Sequence, residues 1–520
     1  KVAVESGMKV SVIDLGFNSV KLVNYDVRKD DTFKPYQQEG VTVRLGEELH
    51  RTGYLGKEPI RRTIKALRMF RDIINFDSVR HVLPVATSAV REAGNRDDFL
   101  KRVYHETGFK FRMLSSKEEG LYSYIGALRA TCMPTAFFFD LGGGSLELVY
   151  TENYGIRKIK SCPLGALRLT QLYGRDDGTF SRRSYGKMLD HVFETLSDAK
   201  EFDLSPDTVL VGVGGTLRAM ARYDQESQKY ALDKIHNYQM DYSSVSSIAE
   251  DLHGMDADEL SETKAIGSNR VETVTAGSAV IRSLMKKFEF EKVVVSAEGL
   301  REGILSVFIR EAKTFYRGAI SSEKAKAFVT FACQQGMLSP HTVTLVRPLV
   351  SYGLLREKEK AILTHAIKQI EALPLVTNLS HLFYLMIDED SAFLSHREQL
   401  ILALSIIHTR KEKTAEWLFS RYRSILEPQN KKSVKKISAC IGLSAILERS
   451  RMNARLTVRG SKIEMKLAPS SARQFIPSTL IAEAVKKFEQ AFDVSVNCTV
   501  GAERVGIPVV RKMKKRIAVT

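Results

Sequence analysis

Two textures alternate along the chain. Short apolar runs bounded by turn residues, such as Val79–Ala86, Ala136–Phe139 and Thr208–Val213, predict buried strands. Stretches at helical spacing lie between them. Ile60, Ile64, Leu67, Phe70 and Ile74 mark one helix, and Asn95–Thr107 and Ser181–Lys200 mark two more. Val41–Leu45, Phe109–Leu114, Ile156–Ser161 and Lys292–Ser296 add further strands. From Glu323 to about Ser450 the strand signal gives way to leucine- and alanine-rich helical periodicity. Leu456–Leu467, Ser478–Phe492 and Val494–Val500 then predict strands, a helix and a strand, ahead of the basic run Arg511–Arg516. The order predicts an α/β protein in four parts: two α/β subdomains at 8–133 and 134–316, a helical domain at 317–450, and a small α/β domain with a basic tail at 451–520.

The run Ala136–Phe139 stops at Asp140 and three consecutive glycines, Gly142, Gly143 and Gly144, before Ser145, Glu147 and a return strand. Such a turn allows positive φ and lets backbone N–H groups approach an anion. Asp140 and Glu147 flank it as candidate metal or water ligands. The hairpin occurs twice: Asp14, Leu15, Gly16, Ser19, Leu22 and Val23 match Asp140, Leu141, Gly142, Ser145, Leu148 and Val149. The repeat predicts a duplicated α/β unit contributing one phosphate-binding turn from each half.

Composition places this unit in context. An apolar fraction of 44% is that of an ordinary globular protein, and no apolar run has the length of a membrane span, so the chain reads as cytoplasmic. Five cysteines without a Cys-x-x-Cys pair read as reduced thiols. The net charge of +17 is unevenly placed: from Arg317 onward 33 Lys and Arg stand against 17 Asp and Glu, which leaves only +1 for the first 316 residues. A charge excess usually marks a solvated face, and one so asymmetric also favours a polyanionic partner.

Three further turns carry candidate chemistry. Thr87, Ser88 and Arg91 follow a strand, where open α/β sheets bind ligands. Ser115 to Glu119 opens a helix with a capping-box pattern, in which Glu118 reads as the cap. Gly212-Val213-Gly214-Gly215-Thr216 is a second glycine-rich turn leading into a helix N-terminus.

The motifs Asp14-Leu15-Gly16-x-Asn18-Ser19, Ala86-Thr87-x-x-x-Arg91, Ser115-x-x-Glu118-Glu119, Asp140-x-Gly142-Gly143-Gly144-Ser145-x-Glu147, Gly212-x-Gly214-Gly215-Thr216 and Gly299-Leu300-Arg301-Glu302-Gly303 together resemble the exopolyphosphatase / guanosine pentaphosphate phosphatase family over residues 10 to 310. The resemblance implies an actin-like duplicated fold, shared with sugar kinases and heat-shock chaperone ATPase domains. It implies Glu119 as general base, Asp140 and Glu147 as the groups holding Mg²⁺, and Arg91 as a terminal-phosphate contact. Asp14, Gly16, Asn18, Ser19, Thr87, the Gly142–Ser145 turn, Gly214, Gly215 and Thr216 become the phosphate-binding set. Two departures stand out: Phe17 where the family usually has serine, and Glu272 where aspartate is common. The helical segment is similar to the family's HD-type module but lacks a His-Asp pair, so His365, His381, His396 and His408 read as ordinary helix or surface residues.

The implied activity is release of terminal orthophosphate from inorganic polyphosphate. Guanosine pentaphosphate is the alternative substrate, and a phosphate sensor without turnover or an ATPase on the same fold are the alternatives of other classes. The complete Glu119, Asp140 and Glu147 set disfavours a sensor. No membrane partner is expected, nucleic acid is disfavoured because aromatic and basic residues are not interleaved, and a homodimer is left open.

Overall fold

The computed structural model describes residues 8–500 and 503–504, apart from residues 30, 176, 198–201, 268–269, 318–319, 335–338, 373–377, 389–393 and 470–477. The run Arg511–Arg516 lies outside the described residues. Compactness divides the chain into two units, Lys1–Cys333 and Gln334–Thr520. This boundary falls later than the expected 316/317, because the helix Ser322–Gln334 places Ala325 and Val329 in the core of the first unit.

The first unit contains one sheet plan used twice. β1 (Met8–Leu15), β2 (Ser19–Val27), β3 (Phe33–Thr42), β4 (His81–Ala86) and β5 (Arg112–Met113) are ordered β3-β2-β1-β4-β5. β6 (Ala136–Leu141), β7 (Leu146–Glu152), β8 (Gly155–Cys162), β9 (Val209–Gly214), β10 (Gln239–Asp241) and β11 (Lys292–Val295) are ordered β8-β7-β6-β9-β11-β10. In each copy an antiparallel meander is followed by parallel pairs, β1 with β4 and β6 with β9. Helices lie between the parallel strands along the chain, as the crossover connections of such pairs need. The duplicated α/β architecture expected from the repeat is therefore present.

Several elements differ from the expected pattern. β3 runs over Phe33–Thr42 rather than starting at Val41, and it lies at a sheet edge with most side chains exposed, so no apolar alternation marks it. β5 has two residues, shorter than the expected Phe109–Leu114.

Two helices, Ser116–Thr131 and Leu300–Arg317, cross where the halves meet. A Cβ at Gly126 would lie 2.0 Å from the Gly299 carbonyl oxygen, and one at Gly303 would lie 1.8 Å from that of Tyr122. Only glycine permits this approach of backbone to backbone. Tyr122, Ile125, Ile304 and Phe308 pack in the core around that crossing.

The second unit carries helices from Pro340–Ser351 to Asn430–Arg449 and a sheet of β12 (Met452–Arg459), β13 (Lys462–Pro469), β14 (Ser495–Val500) and β15 (Glu503–Arg504), with the helix Ser478–Phe492 between β13 and β14. Among the described residues no helix is long and apolar enough to cross a membrane. Cys162, Cys440 and Cys498 are buried thiols, whereas Cys132 is disulfide-bonded, a departure from the all-reduced expectation that sequence spacing gives no sign of.

Candidate active site

The two copies of the hairpin fold alike because their turns close alike. Gly16 N–H donates to the Ser19 carbonyl and Gly142 N–H to the Ser145 carbonyl, both at 3.0 Å. Of the site residues expected from the sequence, Asp14, Gly16, Asn18, Ser19, Thr87, Glu119, Asp140, Gly142, Gly143, Ser145, Gly214, Gly215 and Thr216 line one cleft of about 190 Å³ between the halves. Gly144, Arg91 and Glu147 are not on its wall. Gly144 is pressed against Phe17, and a Cβ there would lie 2.5 Å from the Phe17 ring. None of Gly142, Gly143 and Gly144 has positive φ, so the triplet serves close approach and not the left-handed turn expected of it; Gly214, with φ 126°, is the cleft glycine in that region.

Glu119 and Glu118 part company on the first turn of their helix. Ser115 and Glu118 form the capping box, and Glu118 also pairs with Arg112, so Glu118 is occupied structurally. Glu119 faces the cleft, where Arg91 Nη1 donates to its Oε2 at 2.9 Å and to the Leu114 carbonyl at 2.8 Å. Arg91 thus meets the cleft through Glu119, and not on the wall as a terminal-phosphate contact would. Burial pushes the Glu119 carboxyl up to about 7 against the pull of Arg91, with Asp140 and Asp14 adding to the rise.

Asp140 and Glu147 are directly opposite across β6 and β7. Ser123 Oγ donates to Asp140 Oδ2 at 2.6 Å, and Ser161 Oγ to Glu147 Oε1 at 3.0 Å. Burial raises both carboxyls, Glu147 well above its ordinary range with Glu119 and Asp140 adding to it. Three carboxyls gathered in a dry place each resist ionisation unless a cation joins them.

Positive charge comes from residues to which the sequence assigns no role, Arg301 among them although it stands in the Gly299–Gly303 motif. Lys21, Arg218, Arg270 and Arg301 line the same cleft. Burial, then Arg301 and Arg218, push the Lys21 ammonium down to about 7, with Asp14 opposing. Burial, then Arg301 and Arg270, lower Arg218 to about 10. The signal for Lys21 was present in the repeat itself: Lys21 occupies in the first hairpin the position of Glu147 in the second. Asn18 Oδ1 is buried without a hydrogen-bond partner; turned over, the same amide offers its NH₂ to an anion.

A family model described as the Ppx/GppA phosphatase family matches residues 25–329. The chain belongs to that family. Relatives include the bifunctional 3-dehydroquinate synthase/phosphatase of Fusobacterium nucleatum subsp. nucleatum, 27% identical over 55% of this chain and 44% of that longer protein. Exopolyphosphatase 1 of Mycobacterium leprae is 28% identical over 57% of this chain and 88% of its own length. The crystal structure of the Aquifex aeolicus Ppx/GppA family member superimposes with a TM-score of 0.50 at 28% identity, covering 59% of this chain and 99% of that one. The resemblance carried by the motifs is borne out, and the matched region lies within the first compact unit.

Within the Ppx/GppA framework the departures have visible consequences. Phe17 is 3% exposed, fills the space against Gly46 and Gly144, and carries the Arg168 guanidinium over its ring at 5.6 Å. Arg168 also donates to the Gly144 carbonyl at 2.8 Å and to Glu92 at 2.6 Å, tying the two halves together beside the turns. Glu272 pairs with Arg44 across the same divide.

Proposed function

We propose that the chain is a phosphatase releasing terminal orthophosphate from inorganic polyphosphate by Mg²⁺-assisted attack of water. The observation that carries this reading is a cleft of about 190 Å³ that combines four cations, two backbone turns and a buried glutamate. A pocket for a drug-sized ligand is about 300–1,000 Å³. The cleft therefore suits a few phosphoryl groups better than a nucleoside, which favours polyphosphate over guanosine pentaphosphate and over an ATPase reading.

Phosphoryl transfer asks for positioning and charge stabilisation more than for covalent help. In the proposed step a water oxygen bonds to the terminal phosphorus while the bridging P–O bond breaks. Glu119 takes the water proton, and the Arg91 bond holds its carboxylate in orientation. The shortened chain leaves as an anion held by Lys21, Arg218, Arg270 and Arg301, the turn N–H groups and the Asn18, Ser19 and Thr216 side chains. The donor set fits a magnesium ion: Asp140 and Glu147 would hold it. Two carboxylates leave room for the water and phosphate ligands that magnesium prefers. The ion would neutralise phosphate oxygens when bound. We also read the helical segment of the second unit as an HD-like module without catalytic metal chemistry.

Orthophosphate release from long polyphosphate, ATP and guanosine pentaphosphate, measured side by side with Mg²⁺, tests the reading. Long polyphosphate is expected to give the highest kcat/KM. A higher value for guanosine pentaphosphate would reverse the substrate assignment, and no release from any of them would leave a sensor.

A further inference from the structure

His236 is buried behind the cleft wall, in the segment between the helix Gly215–Ser227 and β10. It meets backbone on two sides. Ala297 N–H donates to its Nδ1 at 3.2 Å, and its Nε2 stands 3.2 Å from the Ala130 carbonyl oxygen. An N–H can only donate and a carbonyl can only accept, so the two partners fix the ring as the neutral tautomer with its hydrogen on Nε2. Ala130 belongs to the helix Ser116–Thr131, whose first turn carries Glu119. Ala297 belongs to the turn after β11 and lines the cleft, and its carbonyl accepts from Arg218 Nη1 at 3.3 Å. One imidazole therefore joins the Glu119 helix to the residue that holds a cleft arginine.

We propose that His236 is a positioning residue for phosphate binding: its Nδ1 fixes Ala297, and Ala297 in turn aims the Arg218 guanidinium at the phosphate chain. The proposal rests on the polyphosphate reading above. Arg218 is buried beside Arg301 and Arg270, which repel it, and beside Glu302 and Asp140, which attract it. With charges of both signs around it the guanidinium has competing places to go, and a neutral backbone acceptor selects one. That acceptor must itself be held. Ser296 N–H donates to the Gly212 carbonyl at 2.9 Å, and Arg129 pairs with Glu298 at 3.0 Å. The turn is thus pinned on both sides of Ala297, and His236 sets the residue between.

The test separates the two ring nitrogens in the full chain. Asparagine places its Oδ1 near the Nδ1 position and can still accept from Ala297, whereas glutamine reaches toward the Nε2 position and Ala130. His236→Asn is expected to keep the KM for tripolyphosphate within about twofold, and His236→Gln to raise it about tenfold with kcat little changed, because a ground-state contact is lost. In an Arg218→Gln background His236→Gln should raise KM no further, since residues acting as one unit are non-additive. Nitrogen NMR of isotope-labelled histidine, at a pH above the usual imidazole range, should show Nε2–H for the peak that His236→Asn removes. Denaturant unfolding of each variant reports stability separately. A KM that rises equally in both variants, in step with their loss of stability, overturns the proposal. So does an Nδ1–H tautomer, or a His236→Gln effect that adds in full to that of Arg218→Gln. Tripolyphosphate affinity is measured by calorimetry in parallel, so a protein that binds without hydrolysing overturns the activity while His236 is still tested on binding.

Discussion

Lys21 and Glu147 hold the same position in the two copies of one hairpin: Lys21 faces Asp14 across β1 and β2, and Glu147 faces Asp140 across β6 and β7. One copy therefore brings an ammonium to the cleft wall, and the other places a second carboxylate beside Asp140, off that wall. In the proposed function the first binds phosphate directly and the second binds it through a cation, which explains how a duplicated turn serves two different tasks.

Lys21 makes ligand binding dependent on pH. Burial and the Arg301 and Arg218 charges hold its free pKa at about 7, below the ordinary lysine value, and an arriving phosphate reverses that field. Below pH 7 the ammonium is already charged and binding takes up no proton there. Above pH 7 binding must protonate it, so affinity falls as pH rises until the pKa of the bound state is passed. Calorimetry of tripolyphosphate binding at pH 8, in two buffers of different ionisation enthalpy, should show an uptake of close to one proton per site that Lys21→Met removes. Identical uptake in both proteins would take Lys21 out of the phosphate site.

The Ser123 hydroxyl fixes Asp140 by a 2.6 Å hydrogen bond, and orientation of a ligand carboxylate governs metal affinity. Ser123→Ala is expected to raise the Mg²⁺ concentration for half-maximal activity by roughly 10- to 100-fold, with little change in the rate at saturating Mg²⁺. Asp140→Asn should raise it further, and chelation should abolish turnover in every variant. If neither substitution moves the Mg²⁺ midpoint, the ion is held elsewhere.

The parts of the site that were legible in sequence are those carried by contiguous turns. Asp14, Asp140 and Gly214 each end a buried strand at a glycine, and apolar runs and glycines are local signals. Glu119 was separated from Glu118 by the family resemblance, and the observed Ser115–Glu118 capping box leaves Glu119 free to face the cleft. Lys21, Arg218, Arg270 and Arg301 carry no such local signal of a shared role, because they come from four separate stretches of the chain and only the tertiary fold brings their charges together. β3 was misplaced for the opposite reason: as an exposed edge strand it has no buried face to impose alternation.

Phe17 makes one position of the first turn a packing element. Its ring lies where a Cβ at Gly144 or Gly46 would need to be, at 2.5 Å and 2.2 Å. Phe17→Ser, which returns the hydroxyl usual in the family, should cost about 3–5 kcal/mol in stability by loss of buried ring contacts, read by denaturant unfolding. Gly144→Ala should be destabilising in the unaltered protein and less so in the Phe17→Ser background, where the Ser88 hydroxyl, 2.7 Å from the added Cβ, still has to turn away. Additive effects of the two changes would show that the ring and the turn do not press on one another.

Glu119 is the residue on which the proposed chemistry turns, and its neighbour provides the control. With its carboxyl pushed up to about 7, Glu119 is poised to accept a proton near neutral pH, and the rate should rise as pH climbs through that value because the ionised form is the base. Glu119→Gln keeps the shape and the possibility of a bond from Arg91 but removes the basic lone pair, so kcat should fall on the order of 10²- to 10⁴-fold while polyphosphate affinity stays near normal. Glu118→Gln should leave kcat nearly intact and act on stability, since Glu118 closes the capping box and pairs with Arg112. Glutamine can still close the capping box, so the loss comes from the partly buried ion pair with Arg112. Single-turnover orthophosphate release and labelled-polyphosphate binding, measured on both variants, separate the two roles. Turnover retained in Glu119→Gln but lost in a folded Glu118→Gln would exchange the assignments of the two glutamates.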